Sequence, residues 1–173
     1  FDGTDAVQTH MTNTRLTDPE VLEWRFPVMV ESFSIRPNSG GGGRHRGGNG
    51  AVRRIRFMKP MTAAILSGRR RVPPHGLKGG KPGAPGHNWV ERSGGQVEEL
   101  GPTDSTAMNP GDVFVIETPG GGGFGDPAKR DRAAIVEDVL EGYVSREKAA
   151  KDYGFEESWI AKYAPEDAAA AAE

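Results

Sequence analysis

The sequence predicts a mainly β fold of the α+β class: a β domain with glycine-rich loops, followed by a short C-terminal helical hairpin. Three observations carry this expectation. Short runs of alternating apolar and polar residues recur from Phe26 to Glu117. Gly 25 and Pro 13 in 173 residues impose many turns and leave little room for long helices. After residue 126 the apolar spacing becomes helical, with residues that suit helix caps placed before and after it.

The elements follow in order. Asp18 is placed to cap a helical turn from Pro19 to Trp24, because proline's fixed φ suits the first helical position. FPVMVESFSIR (Phe26 to Arg36) alternates through Val28, Val30, Phe33 and Ile35, with a slip near Glu31 that predicts a bulge. GAVRRIRFMKPMTAAILSGRRR (Gly50 to Arg71) reads as two strands around Lys59 and Pro60. NWVERSGGQVEEL is the clearest hairpin signal, turning at Ser93, Gly94 and Gly95. DVFVIETP is apolar at almost every strand position, which predicts a central strand buried on both faces. Asp131 caps a helix ended by Gly142, and Ser145 caps a second ended by Gly154. The expected organisation is a β-rich portion over 1–126, a helical hairpin over 127–155 and a tail over 156–173.

Composition narrows the function classes. Zero Cys removes disulfides and thiolate metal sites and suits a reducing cytoplasm. No apolar stretch approaches the ~20 residues of a membrane helix, so no membrane partner is expected. The start at Phe1 and the absence of a basic or apolar leader read as a piece of a longer polypeptide without a signal peptide. The net charge of −2 conceals an asymmetry: from Arg36 to Lys81 the chain carries many Lys and Arg and no Asp or Glu. Such a block predicts an anionic neighbour: a phosphate, a substrate carboxylate, nucleic acid, or an acidic face of the same chain or a partner.

Three stretches have chemistry to offer. THMTNTR, Thr9 to Arg15, gathers hydroxyls, an amide, an imidazole and a guanidinium, enough to bind a small polar ligand from several sides or to tie down a loop. SGGGGRHRGGNG, Ser39 to Gly50, sets Arg44, His45 and Arg46 between bare backbone amides, as an anion site or an RGG-type RNA segment would. TPGGGGFGDP, Thr118 to Pro127, follows a buried strand and precedes a helix start. It is no Walker A loop, since Phe124-Gly125-Asp126 stands where Gly-Lys-Ser/Thr would be needed, and Asp126 would repel an anion. Four glycines in a row serve either a flexible connector or a backbone approach that a Cβ would block. His10, His45, His75 and His87 lack a metal-ligand spacing, so no metal site within this chain is expected.

Taken together and in order, THMTNTRLTDPEVLE, FSIRPNSGGGGRHRGGNGAVRRIRF, ILSGRRRVPPHGLKGGKPGAPG, GDVFVIETPGGGGFGDP and DVLEGYVSREKAAKDYG resemble the C-terminal part of the hydantoinase B/oxoprolinase family, in its 5-oxoprolinase type. That resemblance implies ATP-dependent opening of a cyclic amide, 5-oxoproline to glutamate or a hydantoin ring, with related members carboxylating ketones. It implies a hydantoinase A-type ATP-binding domain or subunit and an upstream part of the B-type domain as partners, within an oligomeric, cytoplasmic enzyme. ATP and a divalent cation are implied for the full enzyme and no cofactor for this chain, which on its own should be inactive. The candidate catalytic residues are His10, Thr12, Asn13 and Arg15. The candidate substrate or anion contacts are Arg44, Arg46, Arg69, Arg70, Gly121 and Gly122. The alternatives are a basic polyanion- or RNA-binding module, and a structural assembly domain of a larger hydrolase or carboxylase.

Overall fold

The computed structural model describes residues 1–7 and 16–164. Helix α1, Pro19–Arg25, begins where the Asp18 carboxylate accepts the Glu20 amide at 2.9 Å. Seven strands follow: β1 Val28–Arg36, β2 Gly50–Phe57, β3 Met61–Leu66, β4 His87–Glu91, β5 Val97–Leu100, β6 Thr103–Met108 and β7 Val113–Glu117. A 3₁₀ turn at Pro127–Lys129 leads to helices α2 Arg132–Leu140, α3 Arg146–Tyr153 and α4 Ser158–Tyr163. The mainly β fold read from the sequence is the fold observed.

The main sheet has five strands in the order β1-β2-β7-β4-β5, each adjacent pair antiparallel. The apolar strand β7 is central, as its composition demands, with Val113, Phe114 and Val115 all buried. The expected bulge lies between Val30 and Ser32. On one face the two-stranded ribbon β3-β6 covers the sheet, and Val28, Phe57, Val90, Leu100, Met108 and Phe114 form the core between them.

Strand β6, TDSTAM, was not legible in the sequence. On the face of the buried Met108 the alternate positions are the half-buried Thr106 and the exposed Asp104, so the apolar period is missing. The Thr106 hydroxyl instead donates to Glu98 at 2.9 Å and accepts from Arg92 at 2.8 Å. Arg92 also bonds the buried Asp112, which takes the Ser93 and Asn109 amides at 2.9 Å each, closing the end of the hairpin.

The helices make their own core from Ile135, Val136, Val144, Ala149 and Phe155. Gly154 ends α3 at φ 69°, the left-handed cap the sequence predicts. Instead of stopping at 155, this unit continues into α4, where Trp159 packs edge-on between Phe155 and Tyr163.

Candidate functional site

The glycine-rich segments meet in one place. The Gly41 amide donates to the Gly121 carbonyl and the Gly121 amide to Gly48, both at 2.8 Å. The Gly123 amide donates to Lys81 at 2.9 Å, the Lys81 amide to Gly42 at 2.7 Å and the Leu77 amide to Gly123 at 2.9 Å. The N-terminal segment joins through the Gly3 amide on Arg46 and the Ala6 amide on Asn49. Extended backbones therefore lie against one another outside the regular sheet, as in a collagen axis where only glycine fits. A Cβ on Gly122 would stand 2.6 Å from the His75 carbonyl carbon, and one on Gly123 2.6 Å from that of Gly42. Close approach, and not a loose connector, explains the run. Gly121 is the exception, exposed and with 3.3 Å to its nearest neighbour, the Gly48 nitrogen.

A carboxylate–guanidinium network fastens the helices to this junction. Arg130, whose side chain is 2% exposed, bonds both oxygens of Asp2 and, at 2.6 Å, Asp138. Asp138 also takes Arg46 Nε at 2.8 Å, while Arg46 Nη1 reaches Asp5 at 2.9 Å. Burial opposes the charge on Arg46, yet its bonds to Asp5 and Asp138 prevail and hold it more firmly protonated than usual. Asp2 shows the mirror effect: burial would raise its pKa, but Arg130 keeps it below the usual range. The Tyr153 hydroxyl receives the Gly43 amide, and Lys81 Nζ meets Asp152 at 2.8 Å.

Five of the cations in the acid-free basic block find carboxylates of their own chain. Besides Arg46 and Lys81, Arg36 pairs with Glu117 at 2.7 Å, and Arg54 and Arg56 pair with Glu31. Arg54 also grips Glu91 with two nitrogens, a hydrogen bond that holds the Glu91 carboxyl down at about 2. Arg53 and Arg70 differ. Arg53 Nε and Nη2 are buried without a hydrogen-bond partner, and burial lowers its affinity for a proton. Arg70 rests on the Asn88 amide oxygen at 2.8 Å, over the bare Gly86 backbone, and burial together with the nearby Arg36 disfavours its charge. In the sheet register Arg53 faces Ile116 and Ile116 faces Asn88, so both guanidinium groups belong to one cross-strand row.

Of the remaining candidates, Arg69 sits at φ 58°, a left-handed conformation costly for a residue with a Cβ, and its carbonyl takes the Gly86 amide at 2.9 Å. Arg44, with His45 and Lys129, lines an open cavity of about 370 Å³ that Asp2 and Asp131 also face. His10, Thr12, Asn13 and Arg15 lie outside the described residues, in the segment between Val7 and Leu16. Among the described residues no group of His, Asp or Glu is arranged to hold a metal ion, and no helix is long and apolar enough to cross a membrane. Sequence reasoning missed Arg53, Arg130 and Asp138; an alternating strand whose core-facing position is Arg was the signal available for the first.

The family model Hydantoinase B/oxoprolinase matches residues 1–127, which include every glycine of the junction. The chain is 48% identical over 125 residues to 5-oxoprolinase 1 of Arabidopsis thaliana, covering 72% of this chain and 10% of that protein. It is 54% identical over 107 residues to the 5-oxoprolinase of Saccharomyces cerevisiae, covering 61% and 8%. A solved ATP-dependent caprolactamase from Pseudomonas jessenii superposes with a TM-score of 0.73 at 30% identity, over 82% of this chain and 26% of that one. The chain thus spans about a tenth of the curated relatives and about a quarter of the solved structure. It belongs to the hydantoinase B/oxoprolinase family.

Proposed function

We propose that the chain is one segment of an ATP-dependent cyclic-amide hydrolase that opens 5-oxoproline to glutamate. The observation that carries this is the match to named 5-oxoprolinases at 48–54% identity, within a family model that spans the whole glycine junction. In this reading a hydantoinase A-type partner handles ATP, an upstream B-type portion completes the site, and the assembled enzyme is a cytoplasmic oligomer that binds neither nucleic acid nor membrane. The ATP and divalent cation of the full enzyme would be held by its other portions in this reading.

What this chain contributes is positioning and charge. Arg70 is a half-buried cation without a carboxylate of its own among the described residues, suited to a substrate carboxylate or a developing oxyanion. The network through Arg130, Asp138 and Arg46 holds residues 2–6, which precede THMTNTR in the chain, because Asp2, Asp5 and Ala6 all lie on the junction. The polar side chains His10, Thr12, Asn13 and Arg15 are assigned to the reacting amide.

The test uses the chain alone and the chain grafted in place of the matching segment of the Saccharomyces cerevisiae enzyme. The chain alone should release no phosphate from ATP in response to 5-oxoproline, and the graft should do so. His10→Ala or Asn13→Ala in the graft should lower turnover with little change in melting temperature. A graft active on a hydantoin but silent with 5-oxoproline would refute the substrate, and a chain active by itself would refute the division of labour.

A further inference from the structure

Strand β1 is an edge of the main sheet, and its two halves are treated differently. Before the bulge, α1 packs on it, and Glu23 accepts the outward Val30 amide at 2.8 Å. Beyond the bulge nothing among the described residues covers it. There Ser32, Ser34 and Arg36 face Arg54, Val52 and Gly50 of β2, whose neighbours Ala51 and Phe57 turn their backbone toward the β7 side. By the alternation of antiparallel ladders, the amides and carbonyls of Phe33 and Ile35 point away from the sheet. Their side chains are 55% and 39% exposed, and Phe33 stands beside Arg53 in the register. An open apolar edge of this kind invites another strand. The adjacent guanidinium, with two buried nitrogens unpartnered, calls for an acceptor.

We propose that the open half of β1, Phe33 to Ile35, seats an extended strand from the remainder of the hydantoinase B-type fold, and that this strand brings a carboxylate onto Arg53. The proposal rests on the reading that the chain works as one segment of a larger enzyme. That remainder fits as the occupant because the solved relative is about four times the length of the part matched here. Its contact must also complete a half-buried cation, which a purely apolar partner would leave unpaired. A second copy pairing β1 with β1 would bring Arg53 no acid, since Val52, Arg53 and Arg54 lie on β2, and β1's one carboxylate, Glu31, is already bound to Arg54 and Arg56.

Hydrogen–deuterium exchange decides it. In the grafted enzyme the Phe33 and Ile35 amides should exchange at least about 100-fold more slowly than in the isolated chain. Phe33→Lys should restore fast exchange there while leaving the β7 amides protected, and Arg53→Met should loosen the same two amides. If the graft does not fold, the chain is added in trans to the Saccharomyces cerevisiae enzyme lacking its matching segment and the same amides are followed. Equal exchange with and without the larger enzyme overturns the proposal, as does protection already present in a dimer of the isolated chain. Protection in a graft without 5-oxoproline turnover supports the docking and refutes the proposed activity; turnover without protection does the reverse.

Discussion

Replacing Gly122 by alanine tests the glycine junction most sharply. The added Cβ would stand 2.6 Å from the His75 carbonyl carbon and 3.0 Å from the Gly76 nitrogen, where carbon atoms in contact keep about 3.5–4.0 Å. Relief requires a shift of about 1 Å between two backbones, and backbone cannot swing aside as a side-chain end can. Overpacking of this kind costs roughly 1–3 kcal/mol, and each junction hydrogen bond stretched with it about 0.5–1.5 more. A loss of about 3 kcal/mol is expected, or about 6–12 °C in a chain of this size. Two controls bracket it. A Cβ on Gly68 meets nothing within 4 Å, so Gly68→Ala should gain roughly 0.4–1 kcal/mol through the unfolded chain. Gly121→Ala, with 3.3 Å to the Gly48 nitrogen, should change stability by less than about 1 kcal/mol. Calorimetric melting should order the variants Gly68→Ala, wild type with Gly121→Ala, then Gly122→Ala far below. Equal melting of the Gly122 and Gly68 variants would show that the segments are not packed backbone to backbone.

Two further outcomes follow from the ionic network. Asp138→Asn leaves Arg130 and Arg46 without their shared carboxylate, a buried pair broken on one side, and should cost about 3–5 kcal/mol and expose residues 126–131 to limited proteolysis; unchanged cleavage would mean the network does not dock the helices. Asp2, Asp112 and Asp152 all titrate below the usual carboxylate range in the folded chain, so their contribution is complete above about pH 4 and is lost as pH falls through the folded values. Melting temperature should therefore be flat from neutral pH to about 5 and fall below about 4, less steeply in Asp112→Asn; a rise on acidification would reverse the assigned sign.

How much was legible depended on how local the cause was. The alternation in β1 and β2, the caps at Asp18, Asp131 and Ser145, and the glycine stop at 154 are fixed by residues within a few positions of one another. Strand β6 was hidden because its inward Thr106 is satisfied by Arg92 and Glu98, which only the folded hairpin brings near. The destination of the basic block was hidden for the same reason, since Arg46 finds Asp138 across 92 residues and Lys81 finds Asp152 across 71. The four glycines stated that backbones would approach, but not that Gly122 and Gly123 would be tight while Gly121 stayed open.

This distribution of partners also ranks the arginines for any anionic ligand. Arg46 already holds Asp5 and Asp138, and freeing it would strip Asp5 of its cation and leave Asp138 to Arg130 alone, so recruiting it carries a cost before any ligand contact forms. Arg53 and Arg70 carry the opposite balance: they are desolvated in the folded chain without a carboxylate in return, and an arriving anion would relieve that deficit. Phe33 lies next to Arg53 at the open edge and Arg70 lies at the Asn88 end of the same row. A strand carboxylate on Arg53 would therefore leave Arg70 as the cation still available to substrate. On that ordering, Arg70→Met in the grafted enzyme should raise KM for 5-oxoproline while Arg53→Met disturbs assembly. An identical KM effect from both variants, with assembly intact, would instead assign the two arginines to a single anion.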